Sequence, residues 1–184
     1  FLLISFCTFG QQKIFQGDPD KAFEVARELA FNKQRKQAQD SLLFILTKYP
    51  NYHDIRSFLA STYSWDGEYK KAKKEFDYIL EKDTDRKRTW VAAINNQLWA
   101  ETPFSALEMA NKALQYFSND PEILYLKASA QGNTNNPEEA LKTIEGLLNK
   151  TPNHEKAKTY KASLTNKLSH NIIGLRSEVD VYSE

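Results

Sequence analysis

The stretch HDIRSFLASTYSWDGEYKKAKKEFDYILEKDTDR occupies residues 53–86 and decides the fold, because its apolar pattern recurs along the chain every 34 residues. One column of the repeat is alanine in all four copies: Ala38, Ala72, Ala106 and Ala140. A second column is leucine: Leu46, Leu80, Leu114 and Leu148. The copies run 19–52, 53–86, 87–120 and 121–154. A fixed period of this length predicts a solenoid, in which each unit buries its apolar face against its neighbours.

Each copy is predicted to be a pair of helices. A capping side chain followed by proline marks a helix start, because proline has a near-helical backbone and lacks the amide hydrogen that a first turn leaves unpaired. Four such dipeptides occur, at Asp18-Pro19, Thr102-Pro103, Asp120-Pro121 and Asn136-Pro137. Between these starts, apolar residues recur at helical spacing. The small residues of the alanine column allow the two helices of a pair to approach closely.

The second copy resembles the tetratricopeptide repeat (TPR) family. The family's signature positions are occupied by Leu59, Ala60, Tyr63, Gly67, Tyr69, Ala72, Phe76, Ile79 and Leu80. The second copy departs from the family pattern at Thr84, and later copies depart from it at Gln97, Ser118, Lys127 and Gln131. The resemblance covers residues 19–154 and implies an all-α fold, a right-handed TPR solenoid of four helix-turn-helix repeats.

Residues 155–168 continue the helical pattern after the fourth copy. Ala157, Tyr160 and Leu164 offer an apolar side to the last hairpin. We interpret this segment as a C-terminal capping helix, which a repeat stack requires for solubility.

The tail, residues 169–184, has a different pattern. Apolar and polar residues alternate from Ile173 to Val181, with one lapse at Ser177, which is typical of a β-strand. The chain has an apolar leader at residues 1–10, then the repeats, and then this strand pattern. This order is similar to that of the YaiO-like outer-membrane proteins, in which periplasmic repeats precede a β-barrel. This resemblance implies that the tail is the first strand of a truncated barrel. The alternative is a disordered tail or an edge strand.

Residues 1–10 form an apolar run of the length found in signal peptides, with small residues at Thr8 and Gly10. We interpret the run as a partial signal peptide cleaved after Gly10, with residues 11–18 leading into the first helix. The only Met is Met109, so we expect the basic start of the leader upstream. Cys7 resembles a lipoprotein cysteine poorly, because Phe6 precedes it. The alternative interpretation of residues 1–10 is a buried helix. If they are a signal peptide, the expected location of the protein is the periplasmic face of the outer membrane of a Gram-negative bacterium.

Composition agrees with a helical body that has no general affinity for nucleic acid. Hydrophobic residues make up 41% and charged residues 27% of the chain, and the net charge is +1, whereas phosphate binding needs a concentrated positive field. Two basic clusters, at residues 70–74 and 86–88, are interpreted as solvated faces.

The sequence offers little for catalysis. The three histidines, His53, His154 and His170, form no metal-binding motif, and no glycine-rich phosphate loop is present. We therefore predict no catalytic residue, no cofactor and no metal site, and a protein that is not an enzyme.

The predicted functional surface is the concave groove. In TPR proteins the inner face of each first helix lines this groove, and carrying those positions over selects eleven residues: Phe23, Arg27, Phe31, Ser57, Ser61, Trp65, Arg88, Asn95, Trp99, Tyr125 and Ser129. The strip is aromatic, which suits an extended peptide or a partner helix. The family's clamp for a terminal carboxylate is not expected, because Phe23, Ser57, Val91 and Tyr125 occupy its lysine column. The alternative role of Trp65 and Trp99 is packing between copies.

Three functions are compatible with these features. The first, which the sequence favours, is a protein-interaction scaffold in the bacterial cell envelope that binds a protein or peptide. The second is the TPR segment of an exopolysaccharide export porin, with aromatic rings stacked on a polysaccharide. The third is a secreted accessory protein without a barrel.

Overall fold

The computed structural model describes the backbone of residues 14–181 and the side chains of residues 14–170. Nine α-helices occupy this described part of the chain. They are α1 (Pro19–Phe31), α2 (Arg35–Leu46), α3 (His53–Trp65), α4 (Tyr69–Leu80), α5 (Lys87–Trp99), α6 (Pro103–Tyr116), α7 (Pro121–Asn133), α8 (Pro137–Lys150) and α9 (Glu155–Val181). The first helices of the copies begin at 19, 53, 87 and 121, and α9 begins at 155, each 34 residues after the last. The predicted all-α TPR solenoid with a C-terminal capping helix is confirmed.

The core lies between the two helices of each copy and between successive copies. All four members of the alanine column are fully buried, as are their counterparts on the first helices: Ala26, Ala60, Ile94 and Ala128. Seven of these eight side chains are alanine, with Ile94 the exception, and alanine leaves room for the helix backbones to approach, so the columns set the spacing of the hairpins.

The turn inside each copy is the same backbone device repeated four times. Lys33, Gly67, Glu101 and Asn135 have φ between 55° and 75°, and they lie 34 residues apart. The next residue donates its amide to a carbonyl five residues back, as in Glu68 N to Tyr63 O at 2.9 Å and Thr102 N to Gln97 O at 3.0 Å. These are Schellman turns, which satisfy the last carbonyls of the first helix and reverse the chain.

Charged residues cover the outer side of α1. Ile55, Ile123, Ala130 and their equivalents are buried in α3, α5 and α7, which follow the second helix of a preceding copy. The same columns in α1 hold Lys21 and Glu28, both exposed, and the exposed Glu24 occupies the column of the buried Leu126 of α7. This is the polar outer face that a terminal repeat of a solenoid needs.

The C-terminal tail differs from the predicted strand. Residues 169–181, expected to begin a β-strand, continue α9 as helix to Val181. Ile172, Leu175 and Val179 are three and four residues apart, so the same residues also match one side of a helix. Residues 182–184, and the predicted signal peptide at residues 1–10, lie outside the described residues. No helix in the described part is both long and apolar enough to cross a bilayer.

Candidate binding groove

The first helices carry all eleven predicted groove residues. Phe23, Arg27 and Phe31 lie on α1, and Ser57, Ser61 and Trp65 on α3. Arg88, Asn95 and Trp99 lie on α5, and Tyr125 and Ser129 on α7. The structure divides them into an aromatic cluster, two cavities and a pair of serines outside both cavities.

The aromatic cluster joins α1 to α3. The Phe58 ring lies at its centre, with ring centroids 5.6 Å from Phe23, 6.0 Å from Phe31 and 5.7 Å from Trp65. The guanidinium of Arg27 lies 5.8 Å from the Phe23 ring and 6.0 Å from the Phe58 ring. Phe31 is 64% exposed, so the cluster presents an aromatic surface to solvent as well as packing two copies together.

Phe58 was missed in the sequence analysis. It is adjacent to Ser57, the position that the family pattern assigns to the groove, and two of its three ring partners, Phe23 and Phe31, come from the neighbouring copy. An aromatic residue next to a selected position, with aromatics 35 and 27 residues earlier at Phe23 and Phe31, was the available signal.

A cavity of about 260 Å³ lies between α3 and α5. It brings together five of the predicted residues: Ser61, Trp65, Arg88, Asn95 and Trp99. Phe76, Val91 and Ala92 line it with apolar surface, and Glu122 adds a carboxylate. We call it the central cavity; Trp65 is 40% and Trp99 49% exposed on its two sides.

A second cavity of about 420 Å³ continues the groove towards α9. It shares Asn95 and Glu122 with the central cavity, so the two form one continuous groove. Tyr125 lines it, with its ring stacked on His154 at 5.8 Å and edge-on to Tyr160 at 6.1 Å. Burial raises the pKa of the Tyr160 phenol.

Two predicted serines line neither cavity. Ser57 Oγ lies 3.3 Å from Thr89 Oγ1 on α5, and Ser129 Oγ donates to the Tyr125 carbonyl at 3.0 Å. Their hydroxyls are engaged in contacts within the protein. The Ser57 contact joins α3 to α5, and the Ser129 contact lies within α7.

A buried polar link beneath the groove was also missed. Asn96 is fully buried, accepts a hydrogen bond from Ser64 Oγ at 2.6 Å and donates to the Tyr69 carbonyl at 3.1 Å. The amide thus ties α5 to α3 and to the start of α4. Because a buried amide is costly without partners, this link favours one register of the two copies.

The second basic cluster is not a uniformly solvated face. Arg86 donates to Asp54 and to Asp83, at 2.5 Å in each case. Lys87 donates to Asp120 at 3.0 Å, and this bond raises the pKa of Lys87. Arg88 instead lines the central cavity. The Arg86 partners belong to copy two and Asp120 to copy three, so these bonds lie within single copies. A longer ion pair of Lys87 with Glu122, at 3.8 Å, reaches copy four.

The histidines have structural contacts. His53 Nδ1 lies 3.3 Å from Asp83 Oδ2, and His154 Nδ1 accepts the Ala157 amide at 3.1 Å. His170 Nδ1 lies 2.8 Å from the Asn166 carbonyl. Within the part of the chain that the structure describes, no group of three or more His, Cys, Asp or Glu residues could hold a metal ion.

Comparisons with known proteins agree with this architecture. A family profile described as tetratricopeptide repeat matches residues 103–164. No curated protein matches the sequence. Among solved structures, MamA from Desulfovibrio magneticus RS-1, from residue 41 to its end, is similar with a TM-score of 0.72 and 14% identity, over 92% of this chain and 96% of that one. A tetratricopeptide repeat protein from Parabacteroides merdae ATCC 43184 is similar with a TM-score of 0.74 and 15% identity, over 90% of this chain and 65% of that one.

Identities of this size establish the fold and nothing finer. Solenoids of this kind curve into extended concave surfaces, which serve as their binding sites. The chain therefore has the tetratricopeptide repeat fold.

Proposed function

We propose that this protein is a non-catalytic scaffold that binds an extended peptide segment of a partner protein in its concave groove. The observation that carries the proposal is the placement of Trp65 and Trp99, which are 40% and 49% exposed on either side of the central cavity. Large aromatic rings beside an apolar pocket are the usual anchors of a protein interface.

The shape and lining of the groove support this assignment. Its two cavities are continuous, so an extended chain can occupy both. Phe76, Val91 and Ala92 provide an apolar floor for one side chain, and Asn95 provides an amide at the junction of the cavities. An apolar pocket with a few polar groups at its edge is the general form of a recognition site.

Selection of short random peptides displayed on phage tests the proposal. The full chain should enrich a set of related peptides, and the variant carrying Trp65→Ala and Trp99→Ala should not retain them. Buried aromatic anchors commonly contribute about 2 kcal/mol or more each at an interface, so their loss should abolish capture. Enrichment that is identical with the wild type and this variant would place recognition on another face.

Two controls accompany the selection. Lys70→Ala with Lys74→Ala changes an exposed part of α4 and should alter capture little beyond its salt dependence. Thermal unfolding of the double tryptophan variant should remain cooperative. If that variant unfolds, the two rings are structural and the proposed role is wrong.

Tryptophan fluorescence gives a second measurement of groove occupancy. The chain has three tryptophans, and Trp90 is 1% exposed while the other two lie on the groove. A peptide that covers Trp65 and Trp99 should therefore shift the emission to shorter wavelength. A selected peptide that binds without changing the emission would contradict binding at this surface.

We further propose that the scaffold acts in the cell envelope, on the periplasmic side of an outer membrane. The support is residues 1–10, whose apolar run matches a signal peptide. Fused to a basic leader start, they should direct export and be removed, leaving Gln11 first, as mass spectrometry of the periplasmic fraction would detect. A lipid-modified Cys7 at the mature N-terminus would indicate a lipoprotein, and an uncleaved cytoplasmic product would reject export.

A further inference from the structure

Arginines on the groove differ from the other arginines in their partners. Residues 14–170 contain five arginines. Arg35 pairs with Asp66, Arg56 with Glu75, and Arg86 with Asp54 and Asp83. Arg27 and Arg88 make no ion pair with any described side chain, and both are exposed at groove positions. The unpaired guanidinium groups are thus concentrated on the surface proposed to bind a ligand.

Each of these two arginines lies beside an apolar surface. Arg27 rests against the Phe23 and Phe58 rings, next to the exposed Phe31. Arg88 lines the central cavity together with Val91 and Trp99. Glu122 lines the same cavity, but its ion pair is with Lys87 at 3.8 Å. A ligand that satisfies both guanidinium groups must therefore carry negative charge next to apolar groups.

We propose that the occupant of the groove is an internal segment of a protein with two acidic side chains and aromatic or aliphatic residues between them. One carboxylate pairs with Arg27 and the other with Arg88, and the intervening apolar side chains contact Trp65 and the central cavity. The inference rests on the proposed peptide-binding function and names the chemical class of the peptide. Arginine is suited to this role because its planar guanidinium binds carboxylates in a bidentate manner.

The separation of the two arginines sets the spacing of the two acids. Arg27 lies on α1 and Arg88 on α5, with α3 between them. Packed helices are about 8 to 10 Å apart, so the two steps span about 20 Å. An extended chain advances about 3.3 Å per residue. The acidic residues are therefore expected about six positions apart, estimated from these two spacings.

The same geometry argues for an internal segment. A chain terminus supplies one free carboxylate, whereas the groove has two unpaired arginines in copies one and three. The apolar lining of the central cavity by Phe76, Val91 and Ala92 favours a peptide over an acidic polysaccharide, because sugars have no aliphatic side chain to fill it.

The peptides enriched by the full chain provide the first test. Asp and Glu should be over-represented at two positions about six residues apart, which follows from the helix and strand spacings above. The variant carrying Arg27→Gln and Arg88→Gln should lose this acidic preference while still retaining apolar peptides. Selection of peptides without acidic preference by the wild type would overturn the inference.

Direct titration with one selected peptide provides the second test. The probe is the synthetic peptide, and its control is the same peptide with each Glu replaced by Gln and each Asp by Asn. The amide copy should bind about tenfold more weakly for each carboxylate lost, as expected for a charge-assisted hydrogen bond. The affinity of the acidic peptide should also fall with salt.

Matched variants separate the groove from general charge effects. Arg27→Gln and Arg88→Gln should each abolish the difference between the acidic peptide and its amide copy at one position. Lys70→Gln and Lys74→Gln remove the same number of positive charges from α4 and should leave that difference intact. Equal losses in both pairs of variants would show that the net charge, and not the groove, selects acidic ligands.

The outcomes also distinguish this inference from the proposed function. Apolar peptides that depend on Trp65 and Trp99 but not on the arginines would leave the scaffold function in place and overturn the acidic ligand. Failure to enrich any peptide that depends on the two tryptophans would overturn both. Tight binding of an oligouronate with no peptide enrichment would assign the groove to polysaccharide and likewise overturn both.

Discussion

At the scale of single residues, the three tryptophans have different roles because their surroundings differ. Trp90 donates Nε1 to the Thr84 carbonyl at 2.8 Å, stacks on Tyr116 at 5.7 Å and is 1% exposed. Trp65 and Trp99 are about half exposed on the groove. Truncation of Trp90 therefore removes core packing, whereas truncation of the other two mainly removes a contact surface.

Ala72 provides a direct test of hairpin packing. It is fully buried in α4, and its column repeats in every copy. Ala72→Phe should overpack the α3–α4 hairpin and lower the free energy of unfolding by roughly 1 to 3 kcal/mol. Chemical denaturation measures this, with Ala162→Phe on the exposed side of α9 as the control. Equal stability of the two variants would show that the packing register is wrong.

At the scale of elements, the four turns use one backbone geometry with four different residues. Only the turn of the second copy has glycine, Gly67 at φ 75°, while Glu101 adopts φ 55°. A residue with a β-carbon in this region is strained by about 1 to 2 kcal/mol. The turns are therefore unequal in stability, although they follow the same path.

Exchanging the turn residues tests this difference. Glu101→Gly should raise the free energy of unfolding by up to about 1 kcal/mol, because relief of strain exceeds the extra entropy of glycine in the unfolded chain. Gly67→Ala should lower it by about 1 kcal/mol from backbone strain alone, since a β-carbon there would meet no atom within 4 Å. Denaturant titration of both variants measures the changes. A loss of stability in Glu101→Gly would mean that its side chain makes a stabilising contact.

An ion pair in the turn between α4 and α5 makes the stability of the fold depend on pH. The hydrogen bond from Arg86 holds the pKa of Asp83 below its ordinary value, against the opposing effect of burial, and His53 contributes a smaller lowering. A carboxylate with a lowered pKa stabilises the fold above its unfolded pKa, and this stabilisation is lost as pH falls through the folded pKa.

Asp83→Asn should therefore be less stable than the wild type near neutral pH, and the difference should shrink below about pH 4. Thermal unfolding across this pH range measures it. Asp85→Asn, an exposed neighbour in the same turn, is the control and should show no such dependence. A difference that is constant with pH would exclude the Asp83–Arg86 pair as its cause.

At the scale of the whole molecule, α1 gives the stack of described helices a charged outer face. α1 presents Lys21, Glu24 and Glu28 where α7 buries Ile123, Leu126 and Ala130. The register is identical in both helices, so only the side chains distinguish an end face from an internal contact. Charges at these columns disfavour packing of a further helix against α1.

Transplanting the internal face onto the end tests that role. The variant carrying Lys21→Ile, Glu24→Leu and Glu28→Ala exposes a new apolar surface and should self-associate more strongly than the wild type in sedimentation velocity. A variant with Gln at all three positions removes the charges without adding apolar surface and should sediment like the wild type. Equal behaviour of all three proteins would show that charge at this face does not control association.

Sequence alone was enough to predict the repeat, the helix pairs and the placement of the candidate groove residues on the first helices. Local pattern is sufficient to predict these features, because they arise within one copy or from its repetition. They are the alanine columns, the Asp18-Pro19 and Asp120-Pro121 caps and the 34-residue step. Five of the predicted groove residues meet in the central cavity for the same reason.

Tertiary structure decided which side chains from different copies meet. Phe58 lies at the centre of an aromatic cluster, and Glu122 lines both cavities, only because helices from neighbouring copies pack side by side. The packing of α5 beside α3 also brings Arg86 to Asp54, and it leaves Arg88 without an ion pair to any described side chain. The apolar pattern of the tail is too short to distinguish a strand from a helix, because both periods fit it. The structure continues the tail as part of α9.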